Sequence, residues 1–489
     1  MEAPSEQFLR LHPLTFVHSS VFLSIVAFAY SWLTSLGPET TQFSSTATLI
    51  FAIITIVIAG PFAIAKFIRF RYYATSDELI IYYGVFKRVR RNIPAERIQN
   101  VAIKRSLLSR ILGTASVRIE TAGTDQTEGN LSYVGAREAQ RLKDLLRTSK
   151  NTVNDPPPDQ SIFSMPLRRV LVSSLYQFSH KITLILFTIF FQLLSLEIID
   201  VRATIDYLVE RGYFQETVSN HWPLITSLSI ILTVMTGWGA GFIQNLIRFY
   251  NFKIELTPTK IQRRFGLFTL QEGSLSYKRV QSFLIRSNPV MRFRRWYRLE
   301  LQTLGLQNGE QGFQPAMPFA RWSEILDLAP KIRPFTLPES YTSVSLRTIQ
   351  RYSIRYSWVI IVSVALFCLI WSTNALWGLL ILPIVFLIAL LQYQRHHWAF
   401  YDENLFIHRR ILSQQFWIIP VERFQAFEIT SSFFQRRLGL CTLIVDTAGA
   451  GTMRYPRIID MRRGDAERLT EDLNLAFQRL EGKHSSSFD

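Results

Sequence analysis

Five stretches of the chain carry no Asp, Glu, Lys or Arg: 11–38, 40–65, 182–196, 217–247 and 356–394. Apolar residues dominate each, and a helix needs about 20 of them to cross a bilayer. The last run is long enough for two helices, with Ser372-Thr373-Asn374 as a polar turn near its middle. The pattern predicts six spans in three hairpins, at roughly 14–36, 46–68, 178–198, 223–247, 355–372 and 375–393. Arg10 and Ala27-Phe28-Ala29 imitate a cleavable leader, but the run continues through Tyr30, Trp32 and Leu33, so a retained first span is expected.

After each hairpin the apolar pattern changes. Tyr72–Ala74, Leu79–Gly84, Val85–Ile93, Asn100–Lys104 and Ala115–Thr121 read as strands, with the short segment Ser106–Gly113 between the last two. Ala136–Arg147 closes the domain as an amphipathic helix, with Ala139, Leu142, Leu145 and Leu146 on one face. Asp465–Leu480 closes the third domain in the same way, and the shorter Arg321–Leu328 closes the second.

These domains are copies of one another. Ile93-Pro94-Ala95-Glu96-Arg97-Ile98-Gln99 runs on to Thr121-Ala122-Gly123. Leu275-Ser276-Tyr277-Lys278-Arg279-Val280-Gln281 runs on to Thr303-Leu304-Gly305 with the same spacing, and Ile419-Pro420-Val421-Glu422-Arg423-Phe424-Gln425 to Thr447-Ala448-Gly449. The register extends back to Thr75, Thr257 and Tyr401, and a period of this kind decides the fold class. The unit is a membrane hairpin followed by a β-rich domain, a small barrel or bent sandwich. Its parts are a first hairpin (1–68) and domain (69–150), a linker and juxtamembrane segment (151–177), a second hairpin (178–247) and domain (248–330), a linker and juxtamembrane helix (331–354), and a third hairpin (355–393) and domain (394–489). Pro156-Pro157-Pro158 marks the first linker, and Pro330, Pro334 and Pro338 the second.

Paired helices put all three domains on one side of the membrane, and charge says which. Lys87-Arg88-Val89-Arg90-Arg91 and further Arg clusters lie on the domain side, whereas 37–46 and 372–374 carry no basic residue. Both termini and all three domains are therefore expected in the cytoplasm. The net charge of +17 follows from that asymmetry, and anionic headgroups rather than nucleic acid are the nearest polyanion. Cys368 and Cys441 read as unpaired buried thiols, with no spacing for a metal or a disulfide framework.

Paired membrane helices followed by a β-rich domain with the Ile-Pro-x-Glu-Arg-Ile-Gln strand resemble the bacterial pleckstrin-homology-like membrane proteins of the YdbS/YdbT group. Three copies in just under 500 residues are most similar to the YdbT type. The resemblance implies pleckstrin-homology folds, a location in the bacterial cytoplasmic membrane, a partner that is another membrane protein of this kind, and a physiological link to envelope protection. It implies no reaction. The second copy departs from the pattern at Ser276 and Lys278, at Arg295 where the others have Gly113 and Gly439, and in its short closing helix. It is expected to deviate most.

Candidate contact residues follow from side-chain chemistry. Arg292, Arg294, Arg295 and Trp296 in the second copy, and Phe433, Phe434, Arg436 and Arg437 in the third, mix rings with guanidinium groups as a membrane interface requires. A short helix plugging one end of the domain would use the same residues, and Leu107, Leu108, Ile111 and Leu112 of the first copy read as core. Arg347, Arg351 and Arg355 recur every fourth residue as a juxtamembrane stripe. Arg97, Arg279 and Arg423, each followed by Gln99, Gln281 or Gln425, offer phosphate contacts or a structural role at a strand end, with the structural role favoured. His396-His397 reads as interface flanking rather than a metal site, and Gly237 and Gly241 as a close helix contact. There is no catalytic motif, so no enzyme and no cofactor is expected. The expected role is a scaffold or binding module at the membrane surface. The alternative is a lipid or peptide transporter or immunity factor with a path lined by groups such as His18 and Gln192.

Overall fold

The computed structural model describes residues 9–10, 60–121, 129–148, 162–195, 213–303, 312–370, 373–410, 413–448 and 455–485. They form two compact units that divide between Ser274 and Leu275, inside the second copy of the repeat.

The first unit contains β1 (Leu9–Arg10) and, further along the chain, α1 (Gly60–Arg69), which leads into β2 (Arg71–Ala74), β3 (Glu78–Tyr83) and β4 (Val89–Pro94). These strands form an antiparallel sheet in chain order. The β3–β4 turn requires Gly84: its φ is +104°, and an added Cβ would stand 1.9 Å from the Lys87 carbonyl oxygen. The expected strand Val85–Ile93 therefore starts only at Val89. A second layer follows, with β5 (Ile98–Arg105), α2 (Leu107–Ile111), β6 (Thr114–Thr121), β7 (Gly129–Gly135) and α3 (Ala136–Thr148). Tyr72, Leu79 and Ile93 from the first layer share one core with Val117, Ile119 and Leu131 from the second and with Ala139, Leu142 and Leu146 of α3.

The second layer does not end at β5. Next along the chain come β8 (Phe163–Ser164), α4 (Leu167–Leu175), α5 (His180–Ser195), α6 (Tyr213–Phe249), β9 (Lys253–Leu256), β10 (Lys260–Phe265) and β11 (Leu270–Ser276). The strand order β7-β6-β5-β11-β10-β9-β8 makes one seven-stranded sheet from the end of the first copy and the start of the second. A domain closed on itself was the expectation. The copies instead share sheets, because β5 keeps an open row of backbone donors and acceptors that β11 satisfies.

The second unit repeats this. It contains β12 (Val280–Ser287), α7 (Pro289–Phe293), β13 (Trp296–Thr303), β14 (Phe313–Arg321), α8 (Trp322–Ile332), β15 (Thr342–Ser343), α9 (Arg347–Ile370), α10 (Leu382–Tyr393), β16 (His396–Tyr401), β17 (Asn404–Arg410) and β18 (Gln414–Pro420). Their sheet runs β14-β13-β12-β18-β17-β16-β15. The chain ends with β19 (Phe424–Thr430), α11 (Phe433–Arg437), β20 (Leu440–Thr447), β21 (Arg457–Arg462) and α12 (Arg463–Ser485), in which β19-β20-β21 stand as a three-stranded sheet. Leu405, Ile407 and Trp417 of the long sheet pack with Leu443, Val445 and Ile458 of the short one and with Leu469 and Leu473 of α12.

The Arg-x-Gln motif now has a structural account. Arg97, Arg279 and Arg423 each end a 3-10 turn, Ala95–Arg97, Tyr277–Arg279 and Val421–Arg423. The pairing then skips Gln99, Gln281 and Gln425, so each glutamine is the extra residue of a β-bulge. The residues before the bulges, Ile98, Val280 and Phe424, lie opposite Thr121, Thr303 and Thr447, the threonines that close the motif.

Among the described residues, two helical segments are long and apolar enough to cross a membrane, Arg347–Leu369 and Thr373–Tyr393, and only 6% and 11% of their apolar windows are buried. They lie close together, since a Cβ on Gly378 would stand 2.8 Å from a Val364 methyl. These two fall on the expected spans 355–372 and 375–393, so two of the six expected spans are matched; α5 and α6 fall on the stretches 178–198 and 223–247 as helices. Span 14–36 and most of span 46–68 lie outside the described residues. On α6, a Cβ at Gly241 would meet the Gln177 carbonyl oxygen at 2.6 Å and one at Gly237 the Phe178 ring at 2.4 Å, so both glycines are needed for close approach. Asn245 of α6 donates to Ser173 at 2.9 Å and to Ser174 at 3.1 Å on α4.

Three sequence expectations change. The short strands β1, β8 and β15 lie ahead of the helices α1, α4 and α9 in the chain and pair with β2, β9 and β16, so each copy begins earlier than expected. Pro330 lies inside α8 rather than in a linker. Cys368 is half-exposed where a buried thiol was expected, while Cys441 is buried as expected.

Candidate membrane-surface site

The short helices α2, α7 and α11 are built to one plan. Ser106, Asn288 and Ser432, at one repeat position, cap them by accepting from the backbone N–H of Ser109, Met291 and Gln435 at 3.2, 2.7 and 3.3 Å. Those same three residues are the buried ones, at 3–4% exposure. Each helix then stops at a left-handed residue, Gly113 (φ +64°), Arg295 (φ +56°) or Gly439 (φ +67°). The second copy therefore keeps the turn despite lacking the glycine, and the expected deviation is absent at this point.

The middle of each helix plugs the domain. The flanks face outward, with Leu107, Ile111 and Leu112 on α2 and its exit, Val290 and Phe293 on α7, and Phe433 and Phe434 on α11 all exposed. Leu107, Ile111 and Leu112 are thus surface residues, where the sequence suggested core; a five-residue helix has room for one inward face. Arginines accompany these flanks. Arg294, Arg295, Arg436 and Arg437 are exposed, and the Arg437 guanidinium lies 4.9 Å from the Phe433 ring centroid. Arg292 is half-buried, and its Nη1 is shielded from solvent without an acceptor among the described residues. Trp296 is less free. It stacks on Phe319 with centroids 4.0 Å apart, and the Arg321 guanidinium sits 3.8 Å from its centroid while also donating to the Arg294 carbonyl.

The juxtamembrane stripe divides. Arg347 donates to the Leu438 carbonyl at 2.7 Å, and Arg351 pairs with Asp460. Asp460 is fully buried at a φ of +65° and also accepts from Gln435 at 2.8 Å. Burial pushes its carboxyl up, against the pull of Gln435 and Arg351. These contacts tie α9 to the third domain, and truncating one partner of a buried pair costs about 3–5 kcal/mol. Arg355, one turn further, is exposed.

The motif arginines sit apart from these tips. Arg97 is exposed; Arg279 is buried, with Gln281 donating to its carbonyl at 3.3 Å. Arg423 is half-buried beside Glu422, 3.3 Å away, which also pairs with Arg333; burial and then Arg333 push the Arg423 guanidinium down. Gln425 is exposed. His396 is buried in β16, and burial, with Arg409 next, lowers its imidazole to about 3, while His397 bonds Ser343 at 3.2 Å and the Gln394 carbonyl at 2.8 Å.

One site was not singled out from sequence. A cavity of about 800 Å³ beside the end of α1 is lined by Arg69, Arg71, Arg88 and Arg90 together with Tyr82 and Tyr83. Its sequence signal was the run Lys87-Arg88-Val89-Arg90-Arg91, read only for membrane sidedness, which the β3–β4 hairpin folds back beside Arg69 and Arg71. Four guanidinium groups around an open cavity suit a phosphate-bearing group.

The sequence profile of the bacterial PH domain family matches residues 20–150, 194–332 and 346–476. The UPF0699 transmembrane protein YdbT of Bacillus subtilis (strain 168) is 22% identical over 428 residues, covering 83% of this chain and 85% of that protein. No solved structure matches the chain.

Proposed function

The chain belongs to the bacterial PH domain family, and on that premise we propose a non-enzymatic, multi-pass membrane protein whose cytoplasmic domains bind anionic headgroups and scaffold the membrane surface. Six helices cross the membrane as three hairpins, with both termini inside. The similarity to a protein named as transmembrane supports the membrane setting, and the charge asymmetry of the loops supports the orientation. The carrying observation is the common design of α2, α7 and α11, which expose apolar side chains beside arginines in all three copies. Apolar groups gain by entering the acyl boundary while guanidinium groups stay at the phosphates. Each arginine adds about 1 kcal/mol near an anionic surface, less at high salt.

The test places an environment-sensitive dye on Phe293→Cys and on Phe434→Cys in the full chain, reconstituted in nanodiscs. Blue-shifted emission, quenched by spin-labelled lipid and stronger with anionic than zwitterionic lipid, is expected at both, with none at an exposed Ser76→Cys control. Emission matching the control at both tips would overturn the reading.

A further inference from the structure

Every copy offers two sheet edges for pairing, and within the chain two such pairings form. The strands β4, β11 and β18 are equivalent in the repeat, as are β5, β12 and β19. Strand β5 pairs with β11, matching Arg105 to Leu270, Lys104 to Gln271 and Ile103 to Glu272. Strand β12 pairs with β18, matching Ser287 to Gln414, Arg286 to Gln415 and Ile285 to Phe416. Shifted by the repeat spacing, these are the same three matches. Two independent joints in one register define a docking rule.

Among the described residues, one strand of each kind is left over. Strand β4 ends the first sheet and β19 ends the last. Applying the rule to them sets Thr430 opposite Val89, Ile429 opposite Arg90 and Glu428 opposite Arg91. The position of Glu428 and Arg91 is informative. Its counterpart in the first joint is Ala102 beside Gly273, where an added Cβ would lie 4.0 Å from the Ala102 Cβ. In the second joint it is Leu284 opposite Trp417. Small meets small, large apolar meets large apolar, and at the leftover edges an acid meets a base. The whole β4 region is basic, with Lys87, Arg88, Arg90 and Arg91. Strand β19 contains Glu428 and no basic residue, and Ala426, Glu428 and Ile429 are exposed on it.

We propose that β19 of one chain adds antiparallel to β4 of a second copy, in the register of the internal joints, with Glu428 against Arg91. The interface is heterologous, so each pairing leaves another β4 and another β19 open, and the chains form a ring or a row along the membrane. Backbone hydrogen bonds supply the attraction, and the side-chain pairs select the register.

The test expresses two differently tagged full-length chains together, one carrying Glu428→Cys and the other Arg91→Cys, and oxidises the membranes. A covalent dimer holding both tags is expected, well above the yield with Lys87→Cys in place of Arg91→Cys or with chains carrying neither new cysteine. As a second arm, Arg91→Glu in otherwise native chains should weaken association about fivefold, the span of one cross-strand charge pair, and adding Glu428→Lys should restore it. No mixed dimer above background, equal yield at Lys87, or no recovery in the double variant would each overturn the proposal; capture of a different protein by β19 would appear as the first of these.

Discussion

Ile103, Ile285 and Ile429 occupy one position of the repeat, on β5, β12 and β19. The first two are 2% and 0% exposed, the third 39%. Residue, strand and preceding bulge are the same. What differs is the neighbour: β11 covers the edge beside Ile103, β18 covers the edge beside Ile285, and β19 closes its sheet as an edge strand. Burial here belongs to the joint rather than to the strand. A repeat protein of this kind gains stability at each internal contact and leaves its terminal copies with surfaces that the inner copies have already spent.

The largest effect should separate these isoleucines. Ile285→Ala removes side-chain volume from a closed joint and should cost about 2–5 kcal/mol, whereas Ile429→Ala on the open edge should cost less than about 1 kcal/mol. Thermal unfolding of the full chain, in detergent dilute enough to keep it monomeric, reads both. Equal losses in the monomer would break the comparison.

Acid should act on the joined sheet as well. His396 of β16 lies opposite Arg409, and its imidazole is held neutral down to about 3. Its folded value is below the unfolded value of about 6.5, so the unfolded chain binds the proton more readily. The contribution of His396 is therefore fully present above about pH 6.5 and is lost as pH falls towards 3. At pH 5 the loss is about 2 kcal/mol, from 1.36 kcal/mol per unit. Comparing the drop in melting temperature between pH 7.5 and 5 in wild type and His396→Gln isolates it. The variant should fall less, and an equal drop would remove His396 from the account.

The sequence carried the repeat, the apolar helices 347–369 and 373–393 and the closing helices because each rests on a local period. Ala139, Leu142 and Leu146 recur at helical spacing and are buried as that spacing requires. The sheet joints were not legible. Nothing in Leu270-Gln271-Glu272 says that its edge partner lies in the preceding copy, because strand patterns encode faces and not neighbours. The strands β8 and β15 were missed because two residues are too few for alternation. The surface tips were half legible: aromatic and basic residues marked α7 and α11, but the aliphatic α2 looked like core until Leu107, Ile111 and Leu112 were placed on the surface and Ser109 inside. The arginine cavity needed the hairpin itself, which brings Arg88 and Arg90 back beside Arg69 and Arg71.

The smallest effect concerns the turn after each short helix, and it tests whether the copies differ where their sequences do. Gly113 and Arg295 hold the same left-handed backbone at φ +64° and +56°. A residue with a Cβ pays about 1 kcal/mol there relative to glycine. Nothing lies within 4 Å of a Cβ built on Gly113, so Gly113→Ala meets only the backbone term and should destabilise by about 1 kcal/mol. Arg295→Gly removes that term and should raise stability by up to about 1 kcal/mol, less the extra freedom glycine gives the unfolded chain. The arginine at 295 is exposed, so the substitution removes no buried contact. Opposite signs for the two substitutions, read as shifts in melting temperature, are the expected result. If Arg295→Gly also destabilises, the Arg295 side chain does more for the turn than tolerate it, and the second copy would then differ from the other two at its surface tip and not only in the length of α8.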